Sequence, residues 1–251
     1  MKSFETGGFR IAFVEEGEGE AVLLIHGFAS THAINWVNPG WIKALVEAGY
    51  RTVALDNLGH GSSSKSYDSS DYRPERMAAH AAALLDHLGI GRAHVFGYSM
   101  GARIAAFMAL AYPDRVATLV LGGLGSGMTA GLQGGDAIQA ALLADDPATI
   151  ADPWVKMFRT FADQTKGDRR ALAACMATSR QTLSEADVGR IVQPTLVAVG
   201  TKDDIGGPAG PLAALMPNAA AFDIEGRDHM LAVGDRGFKQ RVLEFLATHP
   251  L

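Results

Sequence analysis

Residues 93–113, AHVFGYSMGARIAAFMALAYP, constrain the fold more than any other stretch of this chain. They read as a short apolar strand ending in Gly97-Tyr98-Ser99-Met100-Gly101, followed without a spacer by a long apolar helix that stops at Pro113. Glycines two residues before and two after Ser99 let the backbone turn sharply and leave the serine hydroxyl exposed. The helix then aims its positive N-terminal end at the same spot, where negative charge would collect during attack on a carbonyl. A pattern this short also fits a glycine-rich turn carrying an ordinary surface serine, so the flanking chain has to decide.

The flanking chain alternates. Apolar or β-favouring runs at residues 9–15, 21–26, 51–56, 115–122, 194–200 and 220–224 are expected strands. Helical spacing is expected over residues 36–48, 74–88, 208–216 and 238–247. Strands alternating with helices imply repeated βαβ units, and so an α/β fold with a mostly parallel central sheet and helices on both faces. The rhythm breaks at Gly122: no β-rich run follows until residue 194. The expected organisation is therefore a core of residues 1–124 and 188–251, with residues 125–187 as a small helical cap insertion. Two ordinary crossover helices are the plainer alternative.

Composition bounds the possibilities. A chain of 251 residues suits one α/β domain with an insertion. With 48% hydrophobic and 20% charged residues it has the makings of a folded core. Its net charge of −5 leaves no electrostatic footprint for nucleic acid. The single cysteine, Cys175, cannot form an intramolecular disulfide. The first residues, MKSFETGGFRIAF, lack the apolar core of a signal peptide, and no apolar run reaches membrane-spanning length. The expectation is a cytoplasmic protein with neither membrane nor nucleic acid as partner.

A serine nucleophile needs a base, and the base needs an orienting acid. Of the eight histidines, only His229 lies between the last strand and the last helix, on a loop at the strand ends where α/β sheets place ligands. His26 also ends a strand and is its competitor, although it could equally pack beneath its loop. His80 and His87, on a helix, read as solvated; His94 opens a strand; His32, His60 and His249 fall in polar or terminal segments. Asp203 and Asp204 follow the strand at 194–200, where one carboxylate could fix the imidazole through Nδ1. The chain order serine, acid, histidine is that of α/β-hydrolases, unlike chymotrypsin or subtilisin.

With these residues assembled, the chain resembles the α/β-hydrolase superfamily over nearly its whole length. The likeness rests on an HG loop (His26-Gly27-Phe28), a D-x-x-G-x-G-x-S loop ending at Ser63 (residues 56–63), the G-x-S-M-G elbow, a G-x-x-D loop and a late G-x-x-H loop. The resemblance implies an α/β-hydrolase fold with Ser99, Asp203 and His229 as catalytic residues, its G-x-x-D spacing selecting Asp203 over Asp204. It also implies an oxyanion hole from the backbone N–H groups of Phe28 and Met100; Met100 qualifies independently, as the residue after the serine at a helix N-terminus. Relatives with aspartate at the elbow are dehalogenases, which Ser99 argues against. Cofactor-free haloperoxidase and perhydrolase relatives often carry tryptophan where this chain has Phe28. Asp228 either modulates His229 or faces solvent.

The function expected is therefore a serine hydrolase that cleaves small carboxylic esters through an acyl-enzyme, with no cofactor. Lactone, carbon–carbon or thioester hydrolysis, and perhydrolysis, are alternatives on the same residues. Trp154, Met157, Phe158 and Phe161 are candidates to line an acyl pocket, or else pack the cap onto the core. Gly125-Ser126-Gly127-Met128-Thr129-Ala130 mimics a dinucleotide fingerprint with Asp145 downstream, but that acid should end a second strand and the intervening chain reads as loop and helix. No HExxH, CxxC or EF-hand spacing occurs, so no metal is expected.

Overall fold

Apolar runs that cannot face water on either side become the central strands of a sheet in a computed structural model that describes residues 1–131 and 133–251. Eight strands are ordered β1-β2-β4-β3-β5-β6-β7-β8. They are β1 (Lys2–Thr6), β2 (Phe9–Glu16), β3 (Ala21–Ile25), β4 (Arg51–Leu55), β5 (Ala93–Tyr98), β6 (Val116–Gly122), β7 (Thr195–Gly200) and β8 (Ala219–Ile224). β1 and β2 pair antiparallel, as do β2 and β4; every other pairing is parallel. The fold is the expected one, with one strand more. β1 offers a single inward apolar residue, Phe4, too weak a signal to read as a strand by itself.

Alternate residues of the strands feed two cores, one on each face. Leu23, Ile25, Val53, Leu55, Val95, Leu119, Leu121 and Val197 face α2 (Pro74–His87) and α3 (Met100–Ala111). Val22, Leu24, Ala54, Phe96, Val120 and Leu196 face α1 (Trp41–Glu47) and, at the far end of the chain, the closing helix Arg236–Ala247. Burial on both faces is what a parallel sheet demands and what its unbroken apolar runs encode. The helix expected over residues 36–48 is corrected: Ala33–Val37 forms one wide turn, and α1 starts only at Trp41. Pro39 has no N–H to give, and Gly40, in the left-handed region at φ 80°, redirects the chain.

Between β6 and β7 the chain is helical: α4 (Gly127–Ala130), α5 (Gly135–Leu143), α6 (Pro153–Gln164), α7 (Arg169–Thr178) and α8 (Glu185–Val188). Leu132, in the glycine-rich approach to this region, lies outside the described residues. Asp152 and Asp168 accept backbone N–H groups at the starts of α6 and α7, as N-caps do, and Pro153 occupies the first turn of α6. Ile138, Leu142, Val155, Phe158, Ala162, Leu172 and Met176 make a third apolar cluster, so these helices hold one another together. After β7 come α9 (Ala209–Ala213), then β8, α10 (His229–Ala232) and α11 (Arg236–Ala247). No helix of the described residues is long and apolar enough to cross a membrane.

Trp41 ties three elements at the far face of the sheet. It is fully buried, lies edge-on to Phe96 at 4.8 Å and Phe238 at 5.1 Å, and donates its indole N–H to the Val233 carbonyl at 2.6 Å. Replacing it by alanine leaves a large cavity and an unsatisfied carbonyl. Trp41→Ala is expected to lower the unfolding free energy by about 3–5 kcal/mol, read from urea denaturation; an unchanged midpoint would contradict the packing described.

Candidate active site

The elbow is built from contacts that only glycine permits. A Cβ on Gly101 would strike the Ile25 carbonyl, and one on Gly97 would strike the Gly101 carbonyl. α3 therefore starts pressed against the ends of β3 and β5. The chain makes the turn by placing Ser99 at φ 56°, ψ −115°, a conformation costly for a residue with a side chain and characteristic of sites where strain serves function. The Ser99 N–H donates to the Gly122 carbonyl at 2.8 Å, which anchors the elbow to β6.

His229 and Asp203 arrive from neighbouring loops. His229 Nε2 lies 2.9 Å from Ser99 Oγ, and Nδ1 lies 2.7 Å from Asp203 Oδ2. The carboxylate partner fixes the proton on Nδ1, leaving Nε2 as acceptor toward the serine. Asp203 is closed off from solvent, and its Oδ1 accepts the N–H groups of Ile205 at 2.9 Å and Gly206 at 2.8 Å. Asp204 is exposed and takes no part. The Tyr98 hydroxyl donates to the His229 carbonyl at 2.6 Å; burial, then the charge of Asp203, keeps that phenol protonated far above its ordinary range. Asp228 points to solvent and caps α10, accepting from the N–H groups of Met230 and Leu231.

Phe28 and Met100 flank the serine in the same cavity wall. Among the described residues, neither backbone N–H donates to a protein acceptor. The loop that carries Phe28 is clamped from below. Asn35 Oδ1 accepts the Gly27 N–H at 2.8 Å, and Asp56 accepts both the backbone N–H and the ring Nδ1 of His32, each at 2.8 Å. Ser62 donates a third N–H to Asp56, and Ser63 Oγ spans from the Ala12 N–H to the Asp56 carbonyl. Burial alone would raise the Asp56 pKa, but the His32 hydrogen bond and the other donors hold its carboxyl well below the usual range. The D-x-x-G-x-G-x-S motif is thus a clamp that fits beneath the HG loop. Gly61 is its close-contact position, since a Cβ there would collide with the Asp56 carboxylate.

His26 does not compete for the serine. Its Nδ1 donates to the Gly27 carbonyl at 2.7 Å and its Nε2 accepts the Asn57 N–H at 2.9 Å, so the ring is a strut inside the loop. The expectation that His80 is solvated is corrected. It falls three residues after Met77 and four before Leu84 on the inward stripe of α2, and only 6% of it is exposed. His87, by contrast, is exposed and stacks on Phe4. His32 and His60, read from sequence as parts of polar segments, are also buried.

Above Ser99 opens a cavity of about 830 Å³. One stripe of α6 forms its roof: Pro153, Lys156, Met157, Thr160, Phe161 and Gln164, spaced three or four apart, with Phe158 at the edge. Met157, Phe158 and Phe161 are where the sequence pointed. Trp154 is corrected: one residue round the helix from Pro153, it is turned away from the cavity and packs edge-on against Phe158 at 5.1 Å. Reading α6 for its apolar residues missed that the face toward the cavity is mixed. It also missed two arginines in the wall, Arg103 and Arg180. Arg103 interrupts the otherwise apolar run of α3, a visible signal; Arg180 sits in a polar stretch and gave none. Among the described residues no cluster of three or more histidine, cysteine, aspartate or glutamate side chains is arranged to hold a metal.

A family model described as the alpha/beta hydrolase fold matches residues 20–129. The chain is 42% identical over 120 residues to a 2-hydroxy-6-oxononadienedioate/2-hydroxy-6-oxononatrienedioate hydrolase of Burkholderia vietnamiensis, a match that covers 47% of this chain and 41% of that protein. A longer likeness, 30% identical over 262 aligned residues, covers 98% of this chain and 69% of the dihydrolipoyllysine-residue acetyltransferase component of the acetoin cleaving system of Pseudomonas putida. Among solved structures, an alpha/beta hydrolase from a Medee basin deep-sea metagenome superposes with a TM-score of 0.82 over 100% of this chain and 98% of that one, at 19% identity. The chain belongs to the α/β-hydrolase family.

The buried histidines make an acid-sensitive core. Burial pushes His26 down to about 4, His60 to about 3 and His80 to about 4, so the folded protein holds them neutral at pH values where the unfolded chain binds a proton to each. With more protons bound in the unfolded state, stability is full above pH 6.5 and falls as pH drops toward 4. The slope is at most about 1.4 kcal/mol per pH unit for each histidine. His80→Gln is expected to remove about one histidine's share of that slope between pH 6 and 4.5, measured by urea denaturation across the range. An unaltered slope would show that His80 titrates normally.

Proposed function

We propose that this chain is a serine-dependent hydrolase that cleaves small carboxylic esters through an acyl-enzyme, with residues 125–187 as a cap that roofs the acyl pocket. The observation that carries the reading is the continuous hydrogen-bonded path from Asp203 through His229 to Ser99 Oγ, opening on a largely apolar cavity. His229 Nε2 takes the hydroxyl proton as Ser99 Oγ bonds to the ester carbonyl carbon. The carbonyl electrons move onto oxygen, where the N–H groups of Phe28 and Met100 receive the charge; donors of this kind each contribute roughly 3 kcal/mol. Collapse expels the alkoxide, which leaves with the proton held on His229. Water then enters and gives a proton to the same nitrogen as its oxygen bonds to the acyl carbon; collapse of this second intermediate releases the acid, and Ser99 Oγ leaves with the proton returned from His229. Asp203 stays ionised throughout and stabilises the imidazolium.

The expected outcome is that Ser99→Ala loses at least about a thousandfold in p-nitrophenyl butyrate turnover, and that a fluorophosphonate labels the unaltered protein at Ser99 and nowhere else. Asp203→Asn keeps the shape but supports the wrong imidazole tautomer, and is expected to lose about a hundredfold to ten-thousandfold in kcat. Near-normal turnover in Ser99→Ala would remove the reading. Testing γ-lactones, thioesters and vinylogous diketones with the same preparation ranks the bond classes.

A further inference from the structure

The wall of the Ser99 cavity carries three cationic side chains, Arg103, Lys156 and Arg180, and no aspartate or glutamate. Asp203 does not compensate them, because it lies behind His229 with its oxygens occupied by His229, Ile205 and Gly206. This is a local property: the chain as a whole carries a net charge of −5.

The two arginines differ in what they have left to give. Arg103 is buried and committed to backbone. Its two terminal nitrogens donate to the carbonyls of Gly127 at 2.9 Å, Met128 at 3.1 Å and Gln181 at 2.9 Å, pinning α4 and the segment after α7 to α3. Arg180 is half-buried, lies over the Phe158 ring at 5.6 Å, and uses Nε toward Met176 Sδ. Among the described residues its terminal amino groups meet no acceptor, and no carboxylate pairs with it. Burial, and then the charge of Arg103, lowers its pKa to about 10, which leaves it cationic at neutral pH. A half-buried guanidinium without an anion is an open donor fork, and the group that fits it edge to edge is a carboxylate.

Its position relates it to the reacting serine. Arg103 lies four residues along from Ser99, about 6 Å of helical rise, and one of the three carbonyls it grips belongs to Gln181, the residue next to Arg180. Ser99 and Arg180 line the same cavity, so a ligand with its ester at Ser99 and an acid group at its other end can meet Arg180 along the wall.

We propose that Arg180 is a carboxylate-binding subsite, so that the esters this chain prefers carry a free carboxylate remote from the scissile bond. The substrate class rests on the ester-hydrolase reading above; the anion site itself does not. In the alternative, Arg180 only covers Phe158 and Met176 with its apolar stem.

The two are separated by a matched pair of esters, mono-p-nitrophenyl adipate and p-nitrophenyl hexanoate, which share chain length and leaving group and differ in the terminal carboxylate. The readout is the ratio of kcat/KM for the acid ester to that for the neutral one. In the natural sequence the ratio is expected to exceed one. In Arg180→Met it is expected to fall about 10- to 100-fold, chiefly through KM, with Arg180→Lys in between. A ratio that moves less than about threefold overturns the proposal, and because it is internal to each variant, partial misfolding does not mimic the effect. Adipate itself, titrated calorimetrically into the natural protein and into Arg180→Met, decides the anion site without any turnover. At least tenfold weaker binding in the variant supports the site, and equal or undetectable binding in both overturns it. If neither ester is hydrolysed but adipate binds through Arg180, the ester reading falls and the carboxylate site stands.

Discussion

The close approach of two backbones at Gly97 and Gly101 is the contact on which the rest of this structure depends. With no side chain at either position, Gly101 can sit against the Ile25 carbonyl and Gly97 against the Gly101 carbonyl, so α3 begins at once and the chain can reverse within three residues. The reversal forces Ser99 to a positive φ and lifts its hydroxyl above the ends of the parallel strands. The same contact brings the HG loop beside the first turn of α3, so that Phe28 and Met100 end in one wall. The Asp56 clamp and the Trp41 stack then hold fixed, from below and behind, what the glycine contact brings together.

How much of this was legible in the sequence follows from where each signal resides. Strands buried on both faces announce themselves as unbroken apolar runs, and residues at their C-terminal ends fall on one edge by topology. Ser99 and His229 could therefore be picked out by strand ends and chain order, which narrowed the acid to Asp203 or Asp204; the choice of Asp203 came from the G-x-x-D spacing of the family the chain resembles. The break at Pro39 and Gly40 was hidden because Trp36 and Trp41 both look like members of one apolar helical face, whereas each fills the same aromatic cluster from a separate turn. β1 was illegible because an edge strand needs only one inward residue, Phe4.

Polar residues in the interior were harder. His80 has the spacing of an inward residue, but its chemistry suggested water. His32 and Asp56 are buried because they bond across loops, a long-range relation with no local signature, whereas His60 is held by the Leu58 carbonyl of its own loop and packed against the His26 and Phe28 rings. The roof of the cavity shows the same difficulty from the other side. Trp154 looks like the best pocket residue in α6 and is one position off the stripe, while Lys156, Thr160 and Gln164, unremarkable as sequence, face inward. Which side of an amphipathic helix meets a cavity depends on what the helix covers, and that is settled by partners far away in the chain.

Tyr98 gives the site a built-in alignment. Its hydroxyl holds the backbone of His229, and the next residue along the chain is Ser99. The serine and the imidazole are thus braced through a short rigid path, a strand end and one phenol, that passes through no residue of α4 to α8. Whatever the roof does when a molecule enters or leaves, the spacing between Ser99 Oγ and His229 Nε2 is set from the floor.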